Sequence, residues 1–202
     1  KNVMDYATIK VGHDEVNYGD AHFRRSDNAY AITNPFVGNL LMDAYSTQIF
    51  LELYYQRNGW LGMLGVSNGR LNQTATSGAA SPSTYAKVGY DKQINEDLRL
   101  RLTGSVYHTA QTKRTDFYDG DRAGSRYYFV MENAAATSSA NFRSGQVIPG
   151  YLNKLTSVMV NPFVKYKGLE FFGTFETASG RSFPETENRT FNQYAGEVLY
   201  RF

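Results

Sequence analysis

From Leu98 to Ala110 the chain reads LRLRLTGSVYHTA. Leu98, Leu100, Leu102, Gly104, Val106, His108 and Ala110 share one parity, and Arg99, Arg101, Thr103, Ser105, Tyr107 and Thr109 the other. A period of two places successive side chains on opposite faces of a sheet, so this stretch predicts a strand. The alternation recurs from Thr47 to Gln56, where Ile49, Leu51, Leu53 and Tyr55 oppose Gln48, Phe50, Glu52, Tyr54 and Gln56. From Tyr85 to Ile94, Lys87, Gly89 and Asp91 oppose Ala86, Val88 and Tyr90. From Leu169 to Thr177, Leu169, Phe171, Gly173 and Phe175 oppose Glu170, Phe172, Thr174 and Glu176. Further strands are predicted from about Tyr6 to Gly12, from Trp60 to Ser67, from Lys154 to Tyr166 and from Gln193 to Phe202, with a short aromatic one from Tyr127 to Met131.

The connections sort by length. Tight turns fall at Arg57–Gly59, where Asn-Gly is a strong hairpin signal, at Asn95–Asp97 and at Lys167-Gly168. Polar loops fall at 13–45, 68–84, 111–153 and 181–192. A meander with its short turns at one end and its long loops at the other matches a transmembrane barrel. The expected fold is therefore all-β: one antiparallel up-and-down transmembrane β-barrel domain over residues 1–202, with about eight spanning strands. Such strands need roughly 9–11 residues to cross the hydrocarbon at a tilt. The set reads either as a small barrel filled by its own side chains or as a contiguous part of a wider one.

On this reading the apolar parity faces lipid and the charged parity faces inward, since an arginine on the lipid face costs roughly 2–4 kcal/mol near the midplane. Glu52, Lys87, Asp91, Arg99, Arg101, Lys165, Glu170 and Glu176 then line the interior, with Glu197 and Arg201 beside them. Tyr55, Trp60, Tyr90, Tyr166 and Tyr200 fall near strand ends, where aromatic girdles form.

Composition narrows the classes. Across 202 residues, 21 Lys and Arg against 19 Asp and Glu leave a net charge of +2, too balanced to indicate a nucleic-acid partner. The absence of cysteine removes disulfides, thiol chemistry and cysteine-based zinc sites. No run approaches the roughly 18 apolar residues of a spanning helix. The first residues, KNVMDYATIKVG, lack a signal-peptide core, so the chain reads as a processed form or a fragment.

In the first long loop, Asp14, Glu15, Asp20, Arg24, Arg25 and Asp27 could form a constriction if it folds into the lumen. Arg24 and Arg25 would there hold an anion through bidentate hydrogen bonds. The alternative is a solvated loop with internal ion pairs. His13, Asp14, Asp20 and His22 match no metal-site spacing, and the carboxylates of DFYDGDR, Asp116 to Arg122, lack EF-hand spacing. Ser67-Asn68-Gly69 resembles the serine segment of outer-membrane phospholipase A, but Gly65 stands where that family has its histidine, which leaves the serine without a base. The expectation is a non-enzyme with no cofactor and no metal.

The C-terminal YAGEVLYRF resembles the β-signal that ends bacterial outer-membrane proteins. GHDEVNYGDAHFRRSDNA, Gly12 to Ala29, and NPFVGNLLMDAY, Asn34 to Tyr45, resemble the porin-like outer-membrane proteins of Bacteroidetes that are related to phosphate-selective porins. The resemblance implies a portion of a larger barrel of about sixteen strands. It implies passive diffusion of small hydrophilic, anionic solutes across the outer membrane of a Gram-negative bacterium, with membrane lipid and the solute as partners. It also implies a homo-oligomer such as a trimer, or an accessory subunit of an outer-membrane complex. The competing reading is a structural or interaction barrel with a filled lumen. Its long loops, around Phe117, Tyr118, Phe142, Tyr151 and Phe183, would bind a partner protein or glycan.

Overall fold

The computed structural model describes residues 2–20, 47–69, 81–112, 115, 117–118, 133–137 and 149–202. They form β1 (Asn2–Met4), β2 (Ala7–Glu15), β3 (Thr47–Arg57), β4 (Trp60–Ser67), β5 (Ser83–Gln93), β6 (Leu98–Thr109), β7 (Lys154–Tyr166), β8 (Leu169–Arg181) and β9 (Arg189–Tyr200). All nine join one sheet in sequence order, each pair antiparallel. Eight of them are long; only β1 is a three-residue stub. The predicted up-and-down meander is present. Closure is not: among the described residues each strand pairs only with its neighbours in sequence, and β9 pairs with neither β1 nor β2.

Strand limits follow the two-residue alternation, with corrections where polar residues continue it. β2 runs through Glu15, so Asp14 and Glu15 are strand residues and not part of a loop. β8 continues to Arg181 and β9 begins at Arg189, which shortens the expected loop 181–192 to the stretch between Arg181 and Arg189. The predicted strand Tyr127 to Met131 lies outside the described residues. At the Arg57–Trp60 hairpin, Asn58 and Gly59 both have positive φ, 52° and 86°, as a two-residue turn matching strand twist requires.

The polarity of the two faces is the reverse of a water-soluble sheet. Leu51, Leu53, Leu64, Val88, Leu102, Val106, Phe175 and Val198 lie on one face and are exposed, Leu64 at 65% and Val88 at 58%. Glu52, at 0%, and Lys87, Thr103, Ser105, Asn161 and Glu176 lie on the other and are buried. Soluble proteins rarely leave so extensive an apolar face uncovered.

The polar face is buried because the sheet curls over it. Gln48 Nε2 on β3 donates to Tyr107 Oη on β6 at 3.2 Å. Those strands are three spacings, about 14 Å, apart along the sheet. Tyr85 likewise reaches across β4 to donate to Glu52 at 3.0 Å. Gly65 makes that crossing feasible: a Cβ there would lie 2.2 Å from the Tyr85 ring. Gly65→Ala should push Tyr85 off Glu52 and cost about 1–3 kcal/mol as an overpacking change. The check is the midpoint of unfolding in denaturant, and an unchanged midpoint would contradict the crossing.

Candidate functional site

The inward face carries a band of charge and aromatic rings that a segment of chain crosses. After β2 the backbone turns inward at Val16–Asp20 instead of continuing along the edge, and Val16 and Tyr18 are fully buried there. Five strands hold this strap. Asn17 N–H donates to Glu52 Oε1 on β3 at 3.3 Å, Gly19 N–H to Ser105 Oγ on β6 at 3.0 Å, and Asp20 N–H to Asn161 Oδ1 on β7 at 3.0 Å. Tyr18 Oη donates to Glu176 Oε1 on β8 at 2.9 Å. Lys87 on β5 supplies the fifth anchor: its Nζ donates to Asn17 Oδ1 at 2.9 Å, Gly19 O at 3.0 Å and Asp20 Oδ1 at 2.6 Å.

Asp20 is the charged residue of the strap. Its second carboxylate oxygen accepts from Thr103 Oγ1 at 2.7 Å and pairs with Arg101 Nη2 at 2.7 Å. Burial alone would raise its pKa; the charge of Lys87, the hydrogen bonds from Lys87 and Thr103 and the charge of Arg101 outweigh that and hold it below the ordinary aspartate value. A depressed carboxylate pKa contributes stability that is complete above the unfolded value, about 3.9, and is lost as pH falls through the folded value. The strap should thus stay docked from neutral pH to about pH 4 and loosen only in stronger acid. Proteolysis of the strap at a series of pH values, using an acid-tolerant protease, checks this; release already at pH 6 would contradict it.

Above the strap, toward the long loops, lies an aromatic plug. Tyr18, Tyr107, Phe117, Tyr118 and Tyr151 are all buried. Tyr107 and Phe117 stack with centroids 4.4 Å apart, and Tyr118 packs on Tyr151 at 5.7 Å. Two carboxylates serve this layer by accepting from phenols. Glu52 accepts from Tyr54 at 2.6 Å and from Tyr85, and Glu176 accepts from both Tyr18 and Tyr118. Below the strap, toward the tight turns, the charges pair near the solvent. Arg99 makes a bidentate contact to Asp91, with Nε–Oδ1 at 2.8 Å and Nη2–Oδ2 at 2.6 Å. Glu170 is shared by Lys165 at 3.1 Å and Arg201 at 3.3 Å. A cleft of about 560 Å³ opens at this end beside Gln56, Leu61, Gly89, Asp91, Arg101 and Thr103.

All eight charged residues expected on the interior lie on the inward face: Glu52, Lys87, Asp91, Arg99, Arg101, Lys165, Glu170 and Glu176. The set expected on an inward loop divides. Asp20 is on the strap, Asp14 and Glu15 are corrected to β2, and Arg24, Arg25 and Asp27 lie outside the described residues, as do His22 and Asp116. Phe117, Tyr118 and Tyr151, expected as displayed loop aromatics, are buried in the plug because their rings fill the space above the strap; Phe183 is exposed and Phe142 is outside the described residues. Ser67 faces inward and donates to Gln48 Oε1 at 2.5 Å. Among the described residues no three His, Asp or Glu side chains converge as a metal-binding set.

Sequence reasoning missed Asn17 and Tyr18 on the strap and Asn161 beneath it. Strand parity would have found Tyr85, Tyr107 and Asn161, which sit at inward positions of β5, β6 and β7. No protein family, characterised protein or solved structure matches the chain.

Proposed function

We propose that this chain forms the wall of an outer-membrane β-barrel channel, related to the porin-like proteins it resembles, through which small hydrophilic solutes diffuse without a cofactor. One observation carries the reading: the aliphatic face is exposed along eight long strands while the opposite, polar face buries Glu52, Lys87, Glu170 and Glu176. Lipid satisfies that apolar face, and water or polar side chains satisfy the other. The sorting of tight turns and long connections to opposite ends supports the same orientation, with the turns on the periplasmic side. Val16–Asp20 then acts as the constriction, and the cleft beside Arg101 as the vestibule on the turn side.

The aromatic plug favours a second reading, in which the lumen is filled and the barrel works through its outer loops. Single-channel recording from the protein in planar bilayers separates the two. Stable open steps with ion selectivity are expected of the channel. Silence from protein shown by flotation to be inserted would overturn the channel and leave the filled barrel.

A further inference from the structure

Among the described residues Glu176 is a buried acid that no basic side chain serves. Asp20 has Lys87 and Arg101, Asp91 has Arg99, and Glu170 has Lys165 and Arg201. Glu52 lies in the field of Lys87, and both of its carboxylate oxygens accept hydrogen bonds. Glu176, on β8, accepts from the phenols of Tyr18 and Tyr118, both through Oε1. Its Oε2 is buried with no hydrogen-bond partner, and no Lys, Arg or His among the described residues pairs with it. Burying a carboxylate without a counter-charge is costly, so something must supply the missing positive charge.

Ser157 marks the place. It lies on the same inward face, one diagonal step from Glu176, since β7 and β8 set Ser157 against Ala178 and Met159 against Glu176. Diagonal neighbours of this kind are roughly 7–8 Å apart, within reach of long side chains. Ser157 also borders the hydroxyls of Tyr18 and Tyr118. Its Oγ is buried and, like Glu176 Oε2, has no hydrogen-bond partner among the described residues. Buried polar atoms are ordinarily satisfied, so two such oxygens beside one pair of phenols point to a ligand between them. We propose that Glu176 Oε2 and Ser157 Oγ, with the phenol oxygens of Tyr18 and Tyr118, bind a monovalent alkali cation, sodium or potassium. The donor set is all oxygen, which suits a hard cation and offers nothing to a soft one. Both phenols give their protons to Glu176 Oε1, which leaves their oxygen lone pairs for the ion. With one carboxylate in the set, one positive charge gives neutrality, and a divalent ion leaves a buried excess. The ion ties Tyr18 of the strap to Tyr118 of the plug, and does so whether the lumen conducts or is filled.

The test follows unfolding by urea of the protein folded in detergent micelles at mildly alkaline pH, in sodium, potassium or choline chloride at one ionic strength. Choline is too large for the site, and equal ionic strength holds screening constant. Sodium or potassium should raise the urea midpoint above that in choline. The folding constant should rise about tenfold for each tenfold rise in cation above its dissociation constant. Glu176→Gln, which keeps an acceptor for both phenols and removes the charge, should show one midpoint in all three salts. Equal midpoints for the unsubstituted protein in all three would overturn the proposal and leave the two oxygens to a proton or to water. Alkali dependence that persists in Glu176→Gln would place the ion elsewhere, and stabilisation by calcium chloride but by neither alkali salt would make the ion divalent; either overturns it as well. Should Glu176→Gln fail to fold, Ser157→Ala takes its place: the alkali dependence should move to several-fold higher concentration, and an unmoved curve overturns the site.

Discussion

Lys87→Met should free the strap and raise the single-channel conductance of the reconstituted protein. The lysine side chain is 3% exposed and its ammonium donates to Asn17, Gly19 and Asp20. Removing it leaves the Asp20 carboxylate buried with Arg101 and Thr103 and strips a carbonyl and an amide oxygen of their donor. Breaking one side of a buried pair typically costs 3–5 kcal/mol, about what holds a short segment in place. Asp20→Asn in the same background should recover part of the loss, because the stranded charge goes with it, and a double-mutant cycle would show strong non-additivity. Readouts are conductance and protease access to Val16–Asp20. Unchanged values in both for Lys87→Met would mean the strap is held by the plug and not by the charge.

Val88→Arg should abolish or severely slow folding into lipid vesicles. Val88 sits at the middle of β5 between Gly62 and Gly104 on the outward face, at 58% exposure. At a bilayer midplane an arginine there costs roughly 2–4 kcal/mol. Were this face bathed in water, the same change would stay within about 0.5 kcal/mol, as exposed substitutions do. Asn95→Arg, in the tight turn before β6, is the control and should fold like the parent. The fraction folded in vesicles against urea concentration gives both values, and equal midpoints for the two variants would sink the membrane reading.

Legibility in the sequence followed the range of the forces involved. Alternation in LRLRLTGSVYHTA assigned each residue of β6 to a face because that depends only on the pleat. Asn58-Gly59 marked its turn because the backbone conformation needed there is a local property. By contrast, HDEVN looks like the start of a loop by composition, yet His13, Asp14 and Glu15 complete β2 by pairing with Ile49, Gln48 and Thr47. That pairing is a property of β3, more than thirty residues away, and no local pattern carries it. The aromatic residues of the loops misled for the same reason: Phe117 and Tyr118 look equally suited to display or to burial, and only the space left above the strap decides.

The sequence by itself determined the strands, their order and which side chains share a face, because a period of two and a few turn residues act between near neighbours. It also determined that the charged residues lie on the inward face and the aliphatic ones outward. Only the tertiary structure decided that the sheet curls enough for β3 to touch β6 and that Val16–Asp20 crosses the interior. It likewise decided that Lys87, Thr103, Asn161 and Glu176 converge on that segment and that β9 pairs with neither β1 nor β2. Those outcomes depend on curvature accumulated over many strand pairs and on side chains far apart in sequence, which no single stretch of the chain encodes.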